Sequence, residues 1–303
     1  MPELPDVTVY VEALAARVAG VALERVRVAS PSLLRTYEPP LRAAEGRHVV
    51  GVERLGKRIV LALEGELFLS VHLMIAGRLR WRDAGVKIPK KVGLAAFDFP
   101  SGSLLLTEAS PKKRAALHVL AGRTALEALD AGGIDVLSST PESFGAALTL
   151  ENHTLKRALT DPRLFSGIGN AYSDEILHRA RMSPVTLTSR LTDDEIAHLH
   201  AATLATLGDW IERTRRETGD GFPEKVTAFR EGMAVHGRAG SPCPVCGTPV
   251  QRIAYADNET NYCPTCQTKG KLLADRALSR LLREDWPKTL EELEERKRRS
   301  TAE

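Results

Sequence analysis

The chain has no apolar run near the roughly 18 residues that a membrane-spanning helix needs. Its first residues, Met1-Pro2-Glu3-Leu4-Pro5-Asp6, are acidic and proline-rich, the opposite of a basic-then-apolar secretory leader. Net charge is small, +3 from 42 Lys and Arg against 39 Asp and Glu, so no large one-signed field marks a partner. No internal repeat is visible. These absences lead us to expect no membrane partner and a cytoplasmic protein, which we further take to be a monomer. Cysteine is scarce: all four lie between positions 243 and 266 of 303 residues.

The remaining composition, 43% hydrophobic, 27% charged and 5% aromatic, is that of a globular protein long enough for two or three cores. Basic residues bunch locally, as Arg78, Arg80 and Arg82, as Lys87, Lys90 and Lys91, and as Lys112, Lys113 and Arg114. Such clusters suit phosphate contacts, and equally suit solvated strand ends and loops.

The periodicity changes along the chain. Val7, Tyr10 or Val11, Leu14 and Val18 recur at helical spacing, with Asp6 placed to cap the helix. From Leu23 to Val119 short apolar runs separated by glycine and proline predict antiparallel strands, among them 58–63, 67–71, 94–99 and 104–106. Strand character fades between Ala121 and Ser143. Helices are expected over Asn152–Leu159, Gly169–Ala180 and Asp193–Arg215. Gly237–Pro242 reads as a linker, and the tail from Trp286, rich in Glu, Lys and Arg, as a solvated helix. The fold expected is α+β and multidomain: an N-terminal antiparallel β-sandwich with a leading helix (1–135), a helical domain (136–236), a small C-terminal cysteine-bearing β-hairpin (237–283) and a charged tail (284–303).

Cys243-Pro-Val-Cys246 and Cys263-Pro-Thr-Cys266 form two Cys-x-x-Cys knuckles separated by 16 residues. That spacing places four thiolates at the corners of a tetrahedron and predicts one structural Zn2+, since four cysteines leave no open coordination position for catalysis. Two disulfides are the competing arrangement, which an oxidising compartment would favour.

Three separated segments, Pro2-Glu3-Leu4-Pro5-Asp6, Gly167-Ile168-Gly169-Asn170-Ala171-Tyr172-Ser173-Asp174-Glu175 and the cysteine pairs, resemble in order the motifs of the formamidopyrimidine-DNA glycosylase / endonuclease VIII family, over nearly the whole chain to about Leu282. The resemblance implies a base-excision repair enzyme with DNA glycosylase and AP lyase activities, whose partner is damaged DNA running through a cleft between its two halves. It assigns Pro2, freed by loss of Met1, as the nucleophile that forms a Schiff base, and Glu3 as general acid/base. Lys57 is implied as a supporting phosphate contact, His72 as a contact to the DNA backbone, and Asn170 as a donor in the helix–two-turn–helix. The four cysteines become a zinc finger. On the residues alone, Pro2-Glu3 also suits an ordinary helix start, Lys57 a solvated strand edge and His72 a core or edge position. The acids Asp174 and Glu175 are expected in the first turn of their helix, favouring its dipole.

The chain departs from the pattern at three places. Asn258 stands where the family presents a finger-tip arginine, between Asp257 and Glu259, which would repel phosphate; Arg252, Lys269 or Lys271 could compensate. Thr107-Glu108-Ala109-Ser110-Pro111-Lys112-Lys113-Arg114 stands where one branch has Asp-Pro-Arg-Arg-Phe-Gly, leaving Met74 or Ile75 as candidate wedges for the space vacated by a flipped base. Asp6 replaces a glutamate. These departures keep two alternatives open: a relative that binds damaged or structured DNA with weak or no base excision, and a zinc-ribbon interaction protein with no nucleic-acid role.

Overall fold

The computed structural model describes residues 1–224, 226, 229–255, 258–274 and 287–300. The chain divides into two units, 1–133 with 207–228, and 134–206 with 229–303.

The first unit opens with helix α1 (Leu4–Val18). Its buried Leu4, Val7, Tyr10, Leu14 and Val18 fall on one face at helical spacing. Glu3 rather than Asp6 is the N-cap. Asp6 sits three residues into the helix, where its carboxylate accepts the Glu3 N–H at 3.0 Å. The helix starts earlier than the sequence suggests because Pro5 is tolerated inside a first turn, so the proline pair does not delay it.

Eight strands follow: β1 (Arg25–Val28), β2 (Val49–Leu55), β3 (Arg58–Leu63), β4 (Leu67–His72), β5 (Gly77–Arg82), β6 (Gly93–Phe99), β7 (Gly102–Glu108) and β8 (Ala116–Ala121). They form two four-stranded antiparallel sheets, ordered β1-β6-β7-β5 and β2-β3-β4-β8. Alternate residues of both sheets, Ile59, Leu61, Leu69 and Val71 from one and Phe97, Phe99, Leu104 and Leu106 from the other, share one core with Tyr10 and Leu14 of α1. This is the expected sandwich with a leading helix. On the outer face of the second sheet Val60, Phe68 and Leu120 pack with Leu126 of the short helix α2 (Arg123–Glu127), which covers that half of the face.

The second unit contains α3 (Pro141–Thr149), α4 (Leu155–Thr160), α5 (Asn170–Arg179) and the first half of α6 (Asp193–Thr218), whose later residues belong to the first unit. Strands β9 (Gln251–Tyr255) and β10 (Asn258–Tyr262) form the C-terminal hairpin, followed by α7 (Pro264–Thr268) and α8 (Leu290–Ser300). Trp286, from which the charged tail is counted, lies outside the described residues.

Candidate active site and DNA-contacting residues

Pro2 and Glu3 are both buried just ahead of α1, Glu3 with 2% of its surface exposed. The α-amino group of Met1 beside them has its pKa lowered below 8. Burial is the main cause; the charges of Arg78 and Lys57 act in the same direction, against Glu3 and Asp6. An amine at this place is therefore more often neutral, and more nucleophilic, than a free α-amine. In the sequence Arg78 is only one of a basic cluster. Its position on β5, close enough to act on the N-terminus, emerges only in the fold.

Lys57 occupies the second position of the two-residue turn joining β2 to β3, after Gly56 at φ +59°. Sequence places it at a strand start, one residue further on. His72 ends β4 directly opposite Arg58. Its Nδ1 accepts the Met74 N–H at 3.2 Å, so in the neutral ring the proton sits on Nε2, which is left as a donor. Burial, then the charges of Arg58, Lys57 and His118, push the His72 pKa down to about 4. The imidazole is neutral at pH 7, and any phosphate contact it makes is a hydrogen bond rather than an ion pair.

The loop after His72 holds Met74 in the left-handed region at φ +53° and leaves Ile75 59% exposed. Gly77 closes this loop, its N–H donating to Leu73 O at 2.9 Å. A Cβ there would stand 2.2 Å from the same oxygen, so only glycine fits. The 108–115 segment is tied shut by the buried Glu108 carboxylate, which accepts the N–H groups of Arg114 and Ala115, each at 3.0 Å.

In the second unit Gly167 turns the chain at φ +88° and Gly169 caps α5, so that Asn170 is its first helical residue, part-exposed at the helix N-terminus. Asp174 and Glu175 are not first-turn acids. They lie in the second turn and are buried, Asp174 with 1% and Glu175 with 6% exposed. Asp174 accepts Lys156 Nζ at 2.6 Å, Asn261 Nδ2 at 3.1 Å, and pairs with His236 Nδ1 at 2.8 Å. The same Lys156 ammonium donates to Asn170 O at 2.6 Å and Ser173 Oγ at 2.8 Å, which uses all three of its protons. Glu175 accepts three backbone N–H groups, from Ala234 at 2.7 Å and from Val235 and His236 at 2.9 Å. Burial raises its pKa, against the pull of these amides. Both acids thus brace the turn before Asn170 against the segment 234–236 and, through Asn261, against β10.

The ligand sulfurs of Cys243, Cys246, Cys263 and Cys266 lie within 4.8 Å of one another. Individual separations are 3.4 Å for Cys246–Cys263, 3.5 Å for Cys246–Cys266 and 3.9 Å for Cys243–Cys266. A tetrahedron of Zn–S bonds has sulfur–sulfur edges of about 3.8 Å, whereas a disulfide is about 2 Å. The four side chains therefore fit one Zn2+ and not two disulfides. His178 of α5 packs its Nε2 3.3 Å from Cys243 Sγ, orienting that ligand from the helix that Asn170 begins.

Asn258 is the first residue of β10, and Asp257 before it lies outside the described residues. Glu259 is held by Asn261 Nδ2 at 3.1 Å and Arg252 at 3.6 Å, so its charge is partly offset, and Arg252 is engaged there. Lys269 and Lys271 are exposed.

Pro2, Glu3, Lys57 and His72 thus lie in the first unit, and Asn170, Asn258 and the cysteines in the second. Sequence reasoning missed Lys156, His236 and Asn261, whose only signal is contact between positions up to 87 residues apart.

Family models match in three successive blocks: the formamidopyrimidine-DNA glycosylase N-terminal domain over residues 1–126, its H2TH domain over 133–220, and the zinc finger found in FPG and IleRS over 240–269. Formamidopyrimidine-DNA glycosylase of Chloroflexus aurantiacus is 33% identical over 275 residues, covering 88% of this chain and 98% of the relative. The Thermus thermophilus enzyme of the same name is 33% identical over 301 residues, covering 89% and 100%. An uncharacterized formamidopyrimidine-DNA glycosylase-like protein of Mycobacterium tuberculosis is 42% identical over 151 residues, half of this chain and 94% of that protein. Among solved structures, the complex between Lactococcus lactis Fpg and DNA containing an abasic site superposes with a TM-score of 0.78 at 23% identity, over 88% of this chain and 99% of that one, a likeness of fold. With its three domain types in order and full-length relatives above 30% identity, the chain belongs to the formamidopyrimidine-DNA glycosylase family of DNA repair glycosylases.

Proposed function

We propose that this glycosylase is bifunctional: it releases a damaged base and then cleaves the strand by lyase chemistry through a Schiff base on Pro2. The observation that carries the reading is the buried N-terminus, where desolvation, Arg78 and Lys57 all favour a neutral amine next to the buried carboxyl group of Glu3. After Met1 is removed, the Pro2 nitrogen attacks the deoxyribose C1′, the glycosidic C1′–N bond breaks, and the base leaves with its bonding electrons and a proton. Glu3 protonates O4′ as the C1′–O4′ bond opens, and the nitrogen lone pair forms the iminium. The iminium acidifies C2′–H; loss of that proton forms the C1′-conjugated alkene as the 3′ phosphate departs. Water then hydrolyses the iminium and restores Pro2.

Lys57 and neutral His72 hold backbone phosphates in the first unit, and Asn170 and Asn258 do so in the second, with the zinc hairpin presenting Asn258. Exposed Ile75, in the tight loop closed by Gly77, is the better placed wedge, with Met74 beside it. The division into sheet domain (1–135), helix–two-turn–helix domain (136–236), zinc finger (237–283) and tail (284–303), acting as a monomer, is part of the same proposal. Because Asn258 cannot make a charged bidentate contact, we assign the enzyme to substrates that need less flipping energy, such as abasic or single-stranded sites.

Sodium borohydride should trap the protein with Met1 removed as a covalent adduct on abasic-site DNA. Salt-sensitive binding without an adduct would instead favour a damage-binding relative lacking the lyase step. Absence of salt-sensitive DNA binding would point to a zinc-ribbon interaction protein. Asn258→Arg is expected to tighten binding of abasic-site duplex about tenfold and to steepen the slope of log affinity against log salt by about one, measured by fluorescence anisotropy. An unchanged slope would remove position 258 from the phosphate contacts.

A further inference from the structure

The outer face of the second sheet carries an arrangement that the lesion chemistry does not use. Side chains directly opposite on neighbouring antiparallel strands share a face. Arg58 on β3 is opposite His72 on β4, and Ser70 on β4 is opposite His118 on β8. The segment before these strands adds Arg35, whose N–H donates to Leu117 O at 2.9 Å, alongside β8. The hydrophobic cover from Leu126 reaches Val60, Phe68 and Leu120, leaving the Arg58–His72 end of the face beyond it.

Arg58 is part-buried, yet its guanidinium has no hydrogen bond or ion pair among the described residues, and its Nη1 is shielded from solvent without a partner. Ser70 Oγ, on a residue with no exposed surface, and His118 Nδ1 are orphaned in the same way. Burial lowers the Arg58 pKa with no carboxylate opposing it. Burial first, and then the charge of Arg58, depresses both His72 and His118, and Arg35 adds to the effect on His118. Three unpartnered polar groups on one patch, one of them a cation uncompensated among the described residues, are costly to fold, because a half-buried charge without a counter-charge forfeits hydration. A planar guanidinium beside a neutral imidazole is also the donor set that binds an oxyanion.

We propose that Arg58 and His118 form an oxyanion subsite, one strand-to-strand step from His72, that takes a DNA backbone phosphate neighbouring the one held at Lys57 and His72. The subsite rests on the DNA-binding reading above and extends it: the strand's path continues across this sheet face, and the phosphate supplies the counter-charge that the protein withholds from Arg58. Arg35 stands at the exposed rim as a further cation.

Two measurements test this, using the full chain with zinc. In the first, a duplex with a stable abasic-site analogue carries a neutral methylphosphonate at one backbone position at a time. Wild type should lose affinity at two adjacent positions assigned to this face, and Arg58→Met should become insensitive at one of them only. Its overall affinity should fall about tenfold and its salt slope by about one. His118→Leu should give a weaker version of the same pattern, and Arg58→Lys should recover part of the affinity. In the second, inorganic phosphate should raise the Tm of wild type more than that of Arg58→Met, whose Tm without phosphate should equal or exceed wild type. An unchanged methylphosphonate pattern in Arg58→Met, or a Tm lowered by its substitution, would overturn the subsite, because Arg58 would then be idle or structural. Failure of wild type to bind DNA at any position would instead sink the DNA-binding reading. The phosphate-dependent Tm difference reads Arg58 separately from that failure.

Discussion

Glu3→Gln should lower the single-turnover rate of base release and strand cleavage by about 10²- to 10⁴-fold, the contribution typical of a positioned acid/base. The amide matches the carboxylate in shape, and the capping box survives because the Glu3 backbone N–H still donates to Asp6 at 3.0 Å and a glutamine side-chain oxygen can still accept the Asp6 N–H. Stability and DNA affinity should therefore change little, which separates the effect from misfolding. Borohydride trapping should fall for Glu3→Gln and for Pro2→Gly, whose flexible primary amine loses the ring-fixed approach to C1′. The wild-type rate should also rise with pH as the N-terminal amine loses its proton, since only the unprotonated form attacks, and burial with the charges of Arg78 and Lys57 should move that rise to lower pH than for the same amine in water. If either variant trapped as efficiently as wild type, Pro2 and Glu3 would not hold the roles assigned to them.

How far the sequence could be read depended on whether a feature is local. The apolar run 58–63 is β3 to the residue, and the run 67–71 falls short of β4 by only His72, because strand edges follow from alternation and from adjacent turns. The zinc site was legible because ligand spacing within 24 residues dictates a tetrahedron. Strand β5, Gly77-Arg-Leu-Arg-Trp-Arg82, is less obvious, since alternating arginines hide a strand whose inward residues are only Leu79 and Trp81. Asp174 and Glu175 depart from expectation for a different reason. Acids near a glycine-rich turn look like dipole-stabilising residues, and nothing local reveals that His236, Asn261 and the amides of 234–236 converge on them. The same limit hid Arg58, which in sequence is one more basic residue after Lys57. Its lack of a counter-charge among the described residues is a property of the assembled sheet.

Removing zinc should have the largest effect on the second unit. Among the described residues the cysteines pack with only Val235, Val250 and Ala234, and Ile253 and Tyr262 are the buried apolar side chains of β9 and β10, little apolar surface to hold the hairpin without metal. Structural zinc of this kind contributes on the order of 10 kcal/mol of apparent binding free energy, which here is folding free energy for the hairpin. The loss should spread. When β10 is released, Asn261 leaves the buried Asp174 carboxylate and His178 loses the Cys243 sulfur, both on the helix that starts at Asn170. Purified protein should contain one zinc per chain by elemental analysis. Chelation or Cys263→Ser should raise hydrogen exchange through 240–271 and in α5, and abolish tight binding of abasic-site duplex, with the sheets of the first unit still protected. Recovery of affinity on adding Zn2+ to the chelated wild type, and no recovery for Cys263→Ser, would tie the loss to this site. A chelated protein that kept both its exchange protection and its DNA affinity would mean that the four cysteines fold the hairpin without metal.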